Sequence, residues 1–339
     1  MKVKFMYILL VITAIILFGL ELSIGSVNIP MNNIFGILFG KGDVNESWRL
    51  IVIESRLPRA LAATLAGACL SVGGLIMQTL FRNPLAGPHI LGISAGASLG
   101  VAVVVLGFEI LGIAAFLNNF KFILVVSAFF GATLVLLILF SISVRIKDLL
   151  TVLIFGILIG SISLAIVGIL QYLGSEQQLK SFLIWTLGSF DGVDLNSAKL
   201  ITVLGILTIS LTIFLIKPLN LLLTGEEYAQ SLGLNVKKAR LKIMLLAGCL
   251  TAIITAFCGP IGFVGVVVPH FSRLLFKTFD HKQLFMATIL TGINIMLIAD
   301  LVAHLPGSAM ILPINSITSL IGIPFIFWML LRKKMITAV

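Results

Sequence analysis

The sequence has 339 residues, of which 59% are hydrophobic and only 11% are charged, with a formal net charge of +10. Because soluble domains average about 25% charged residues, this composition excludes an ordinary soluble globular protein. The positive charge needs no nucleic-acid partner, since basic loops are expected on the cytoplasmic face of a membrane protein, next to anionic lipid.

Apolar runs recur along the whole chain and end at charged or turn-rich breaks, which predicts an all-α polytopic membrane protein. The first run follows Lys2 and Lys4 and is interpreted as a membrane helix, with a cleavable signal sequence as the alternative. No boundary separates soluble modules, so residues 1–339 are expected to form a single transmembrane domain. The predicted crossings are about 4–22, 58–81, 91–107, 122–141, 149–171, 199–216, 241–258, 262–277, 284–303 and 311–331.

The distribution of basic residues predicts the orientation. With the N-terminus inside, most of the 23 lysines and arginines lie in cytoplasmic segments, as the positive-inside rule requires, and both termini are cytoplasmic. Arg56 and Arg59 then fall outside, at the start of the second crossing. They either snorkel to lipid phosphates or form a basic patch for carboxylates of a soluble partner, and the pattern favours neither.

The fifth crossing carries small residues at helix-packing spacing, namely Gly156, Gly160, Ser161 and Ser163. They indicate either close packing within one subunit or a face that lines a passage. The segment 172–198 is too polar to cross the membrane and is expected to contain a short interfacial helix around Trp185.

The loop 217–242 contains the local signals of two short helices joined by an elbow. Thr224 and Glu227 have the spacing of a capping box, Gly233 provides a left-handed helix stop, and Asn235 is placed to cap the next helix. The loop is either a well-capped connection or a rigid docking element for a cytoplasmic partner.

Other residues that could carry chemistry do not form a site. Asp300 is interpreted as a structural or helix-end residue and His270 as a packing residue, and the histidines lack the spacing of metal ligands. The stretch GILFGKG (36–42) has the wrong spacing for an ATP-binding loop. No catalytic residues and no metal site are predicted.

Six segments together carry a resemblance to a known family. They are residues 56–100, GEEYAQSLGL (225–234), GPIGFVGVVVPHFSRLL (259–275), DHKQL (280–284), ADLVA (299–303) and GIPFIFWMLLRKK (322–334). In this order they resemble the FecCD-type permeases, which are membrane subunits of ABC importers for iron–siderophore complexes, haem and cobalamin. The resemblance implies the type II ABC importer permease architecture.

The resemblance also implies roles for particular residues. Arg56 and Arg59 match exterior arginines that receive glutamates of a substrate-binding protein, and His304 occupies a third docking position that is arginine in many relatives. An unperturbed histidine titrates near 6.5, so this third contact is expected to be weakly charged. The resemblance supports the second interpretation of Gly156, Gly160, Ser161 and Ser163, in which they line a passage between two permease copies. Asn83, Pro84 and Leu85 are the implied cytoplasmic gate, with the turn around 147–151 nearby. The implied ATPase-coupling residues are Thr224, Gly225, Glu226, Glu227, Ala229, Ser231, Gly233 and Asn235.

The resemblance thus implies the permease half of an ATP-driven importer of an iron chelate or cobalamin in the bacterial inner membrane. Its implied partners are a second copy of the chain, two cytoplasmic ATPase subunits, a periplasmic or lipid-anchored binding protein, and membrane lipid. The chain itself would bind no cofactor, and ATP and magnesium would sit on the ATPase subunits. An ion-coupled carrier that works without an ATPase remains the alternative.

Overall fold

A computed structural model describes residues 2–25, 27–40, 45–107, 120–146, 148–304 and 311–331, and within these ranges all regular structure is helical. The helices are α1 (Lys2–Ser23), α2 (Met31–Phe39), α3 (Glu46–Phe81), α4 (Ile93–Gly107), α5 (Phe120–Arg145), α6 (Leu149–Leu173), α7 (Glu176–Thr186), α8 (Leu195–Leu223), α9 (Glu226–Ser231), α10 (Val236–Cys258), α11 (Val264–Phe276), α12 (His281–Ala303) and α13 (Ile314–Leu331).

Eight of the described helices are long and apolar enough to span a bilayer, and α4 and α11 are shorter apolar helices. Each of these ten helices overlaps one of the ten predicted crossings. The short helix expected around Trp185 is α7, and Ser175 and Gln178 form its capping box. The polar segment therefore contains a helix with its own start signal, as its composition indicated.

The start of the second crossing differs from the prediction, because α3 begins at Glu46 rather than near residue 58. Asn45 caps it by accepting a hydrogen bond from the backbone N–H of Ser47 at 2.9 Å. Pro58 lacks a backbone N–H and is tolerated in the first turn of a helix, which is where the predicted crossing 58–81 would begin. Instead, a wider π-helical turn over Ile51–Arg56 precedes it, so the helix continues through this position.

The helix α3 forms the centre of the bundle and packs against α8, α10, α11 and α12. Glycine pairs allow two of these close approaches. A Cβ atom at Gly74 would lie 1.7 Å from the carbonyl oxygen of Gly265, and one at Gly67 would lie 2.3 Å from that of Gly292. Since lipid is as apolar as the core, close van der Waals packing of this kind is what holds membrane helices together.

Candidate functional site

Arg56 is a buried residue that binds the end of another helix. It is 3% exposed, and its guanidinium donates hydrogen bonds to the carbonyl oxygens of Leu22 and Ser23, both at 2.8 Å, and to that of Val27. The last carbonyl groups of a helix have no partner within the helix. Arg56 therefore holds the end of α1 and the following turn against α3.

Arg59 lies at the centre of an ionic cluster, which we call the outer cluster (Glu21, Arg56, Arg59, Asp191, Asp300 and His304); Asp191 is exposed and the other five residues are buried. Its guanidinium is 2.9 Å from Glu21 Oε2, 3.3 Å from Asp300 Oδ2 and 3.8 Å from Asp191 Oδ1. The carboxylates of Glu21 and Asp300 are 0% and 1% exposed. A buried charge is costly unless it is paired. Since the paired residues of this cluster come from α1, α3, α12 and the turn after α7, their pairing holds these elements together.

His304 completes the outer cluster and differs from the sequence-based expectation. Its Nε2 lies 3.0 Å from Asp191 Oδ1 and its Nδ1 lies 3.3 Å from Asp300 Oδ1. Burial lowers the pKa of His304, but hydrogen bonds to Asp191 and Asp300 and the charge of Asp300 outweigh burial and raise this pKa to about 10. The side chain is therefore protonated near neutral pH, and the expectation of a weakly charged group is wrong because its two carboxylate partners could not be foreseen.

The pKa of Asp191 shifts in the opposite direction to that of His304. Burial raises its pKa, but the hydrogen bond and charge of His304 and the charge of Arg59 outweigh burial, so that this pKa is lowered. Asp191 and the protonated His304 therefore form an ion pair, with 3.0 Å between Nε2 and Oδ1.

The docking role of Arg56, Arg59 and His304 stays a prediction, because the structure directs these side chains at groups of the same chain. Neither arginine presents an open basic patch of the kind that the pattern suggested. Glu21 and Asp191 were missed as their partners. Glu21 could have been found from sequence, because it is the only acidic residue of the first apolar run and an ionisable group in such a run predicts a specific partner.

The predicted capping box of the loop 217–242 is wrong. The hydroxyl of Thr224 donates back to the carbonyl oxygen of Leu221 at 2.8 Å. Gly225, with a φ of 115°, stands at the start of α9 and has no side chain with which to cap it. Thr224 therefore ends the preceding helix rather than starting the next one.

The rest of the elbow is confirmed. Gly233 has a φ of 87°, in the left-handed region that favours glycine. The side-chain oxygen of Asn235 accepts a hydrogen bond from the Lys238 N–H at 3.0 Å and caps α10. Arg240 then binds both carboxylate oxygens of Glu226, at 2.9 and 3.1 Å. Both contacts come from Nη2 of the guanidinium group, and this ion pair links α9 to α10.

The elbow has an exposed face and a buried side. Ala229 is buried, whereas Glu227, Ser231 and two larger side chains, Tyr228 at 58% and Leu232 at 53%, are exposed. These exposed side chains are available for contact with another protein, but the coupling role of the elbow stays a prediction.

The predicted gate segment lies beside this elbow. Arg82 donates a hydrogen bond to the carbonyl oxygen of Leu222 at 3.0 Å, and Asn83 accepts one from the Leu85 N–H at 2.9 Å, which closes a tight turn. Pro84 is buried and Leu85 is half-buried. The structure thus links Asn83, Pro84 and Leu85 to the coupling segment, but their gating role stays a prediction.

The second predicted turn of this region starts at residue 147, which lies outside the described residues. Within the described part, Asp148 caps α6 by accepting a hydrogen bond from the Thr151 N–H at 2.9 Å.

The residues predicted to line a passage divide into two groups. A Cβ atom at Gly156 would lie 2.9 Å from Leu91 Cα, and one at Gly160 would lie 3.2 Å from Gly92 Cα. These glycines therefore serve close packing within one chain, and Ser163 is buried beside them. Ser161 lies on the exposed face, where its hydroxyl donates to the Ile157 carbonyl oxygen. The pathway role stays a prediction.

Two further observations concern metal and haem ligands. His270 is buried and packs edge-on against Phe325 with ring centroids 6.0 Å apart, as expected of a packing residue. Across the described residues, no group of three or more His, Cys, Asp or Glu side chains could hold a metal ion.

The match to a known family extends over almost the whole chain. The profile of the FecCD transport family matches residues 11–332. The chain belongs to the FecCD transport family. The resemblance of the six sequence segments is thereby confirmed.

Three relatives of this FecCD chain show how far the likeness extends. The hemin transport system permease protein HmuU of Yersinia pestis is 35% identical over 92% of each chain. The molybdate import system permease protein MolB of Haemophilus influenzae is 34% identical over 96% of this chain and 94% of its own. The vitamin B12 import system permease protein BtuC of Klebsiella pneumoniae is 36% identical over 84% of each.

Solved structures agree with the fold. A chain described as an inward-facing conformation of a metal-chelate type ABC transporter superposes with a TM-score of 0.84 at 30% identity, covering 97% of this chain and 99% of its own. The FecCD chain is thus a multi-pass permease subunit of an ABC importer in the bacterial inner membrane. Such a subunit works in a complex with ATPase and substrate-binding partners.

Proposed function

We propose that this permease forms one half of a homodimeric conduit through which an iron chelate or cobalamin crosses the inner membrane. The observation that carries the proposal is the capped elbow formed by α9 and the start of α10, which presents an exposed face with Glu227, Tyr228 and Leu232. The Glu226–Arg240 ion pair and the Asn235 cap hold its two helices in place.

ATP hydrolysis is assigned to two cytoplasmic ATPase subunits, each seated on the elbow of one permease copy. The chain would then have no ATPase site and no bound cofactor of its own, with ATP and magnesium held by the partner subunits. The sequence supports this assignment, because its nearest approach to a phosphate-binding loop has the wrong spacing.

A substrate-binding protein, periplasmic or lipid-anchored, would dock at the opposite end of the bundle, near Arg56, Arg59 and His304. Carboxylates of that protein would compete there with Glu21, Asp191 and Asp300 for the same guanidinium groups. We expect docking to weaken at high salt, since salt screens the long-range attraction between the charged surfaces of the two proteins.

The cargo is best supported as a metal chelate. The names of the relatives include hemin and vitamin B12 as well as molybdate, and the superposed transporter is of metal-chelate type. Because these cargoes differ in size and charge, the cognate binding protein rather than the permease would select among them. Its bound ligand, identified by mass spectrometry after capture on the permease, tests the cargo directly.

The coupling proposal is tested in vesicles that contain the permease, its ATPase subunits and its binding protein. Glu227→Ala and Gly233→Pro should abolish the stimulation of ATP hydrolysis by the loaded binding protein. Glu176→Ala, which removes another exposed first-turn glutamate at the predicted opposite end, should leave the stimulation unchanged. Uptake by the permease alone on an ion gradient, without ATP, would refute the proposal in favour of an ion-coupled carrier.

A further inference from the structure

A large groove opens on the side of the bundle between α5, α8 and α10. Its volume is about 820 Å³, within the range of about 300–1,000 Å³ that is typical of ligand sites. Apolar side chains, including Phe129, Leu204 and Phe257, line most of it, and Lys121 and Asp194 line its polar end. The groove therefore has an apolar body and a charged mouth.

The depth of the groove matches one leaflet of a membrane. Along α5 it extends from Lys121 to Phe129, and along α8 it extends from Asp194 to Leu204. At 1.5 Å per residue these segments are about 12 and 15 Å long. The hydrocarbon core of a bilayer is about 30 Å thick, so the groove ends near the middle of the membrane.

The mouth of the groove lies where lipid headgroups are expected. Lys121 is the second residue of α5, and Asp194 is the N-cap of α8, where its side chain accepts a hydrogen bond from the Ser197 N–H at 3.1 Å. Both residues are exposed. A cation and an anion at one mouth complement a zwitterion that carries a phosphate and a primary amine, since each charge finds its opposite.

We propose that the groove binds one phospholipid of the leaflet at this end of the bundle, which is the outer leaflet in the predicted orientation. An acyl chain lies between α5, α8 and α10, and a phosphoethanolamine headgroup lies between Lys121 and Asp194. The proposal depends on membrane insertion only, and it holds for any cargo that the transporter carries.

Native mass spectrometry of the full chain in detergent, titrated with phosphatidylethanolamine or phosphatidylcholine, tests the proposal. Leu200→Trp places a bulky ring in the groove and should remove the single tightly retained lipid. Leu207→Trp is the matched control, because Leu207 lies on the same helix outside the groove and is similarly exposed, 56% against 47% for Leu200. This control should keep the lipid.

The charge of the mouth is tested separately. Lys121→Ala should weaken phosphatidylethanolamine binding roughly twofold to fivefold, as expected for an exposed charge contact. Lys199→Ala removes an exposed lysine of α8 that does not line the groove, and it should have no effect. Phosphatidylcholine should bind more weakly than phosphatidylethanolamine, because its quaternary amine donates no hydrogen bond to Asp194.

Two results would overturn the proposal. Equal lipid retention by Leu200→Trp and Leu207→Trp would show that the lipids merely coat the protein. A fall in the dimer fraction of Leu200→Trp with lipid retention unchanged would assign the groove to an interface between copies of the chain.

Discussion

Replacing Arg59 by Met tests whether the outer cluster holds the bundle together. The side chain is 5% exposed and lies within 4 Å of three carboxylates, those of Glu21, Asp191 and Asp300. Met keeps much of the side-chain length but removes the charge, which leaves those carboxylates without their central cation. Removing one partner of a buried ion pair costs about 3–5 kcal/mol, and we expect a loss of free energy of unfolding in this range.

The chain carries its own reporter for this measurement. Cys69 and Cys258 are 0% and 2% exposed, so with the half-buried Cys249 replaced by Ser a thiol-reactive dye should label the chain only after unfolding. Urea denaturation in detergent, read by this labelling, gives the free energy of unfolding. Arg49→Met removes an exposed arginine from the same helix and should change that free energy by less than about 0.5 kcal/mol.

A double variant separates the charge effect from a packing effect. Glu21→Gln in the Arg59→Met background replaces a buried carboxyl group that has lost its guanidinium partner by a neutral amide of the same shape, and it should restore part of the lost stability, about 1–2 kcal/mol. Arg59→Met with wild-type stability would refute the structural role of the cluster. A double variant less stable than Arg59→Met alone would show that packing, not charge, accounts for the loss.

Three further outcomes are expected. The raised pKa of His304 implies a contribution to stability that is complete below the ordinary pKa of 6.5 and is lost as the pH rises through about 10. The free energy of unfolding should therefore fall between pH 7 and 10. The variant His304→Gln should show a flatter dependence of this free energy on pH. Gly74→Ala would place a methyl group 1.7 Å from the Gly265 carbonyl oxygen and should lower the free energy of unfolding by about 3 kcal/mol or more. Gel filtration should then show a loss of monodisperse protein. Gly168→Ala, with open space around the added methyl group, should behave as wild type. Asn235→Ala removes the cap of α10 and should cost about 1 kcal/mol, with faster hydrogen exchange in the first turn of that helix as the measurement.

Local features of the molecule could be predicted because their causes are local. A crossing needs about 20 apolar residues to match the bilayer, and eight of the predicted crossings overlap described helices that are long enough to span it, whereas α4 and α11 are shorter. The left-handed Gly233 and the Asn235 cap likewise depend on the residue type and its immediate neighbours. The capping box predicted at Thr224 is wrong because Gly225 occupies the N-cap position. The sequence motif does not distinguish between these two adjacent residues.

Hydrophobic length and residue propensity act over one or two turns, so the order of residues along the chain is enough to predict a helical, multi-pass membrane protein. The partners of its charged side chains depend on tertiary packing. Arg59 and Glu21 lie 38 residues apart, and their pairing with Asp191, Asp300 and His304 requires three helices and a turn to meet. A buried charge must find an opposite charge, but which one is fixed by packing rather than by any local pattern.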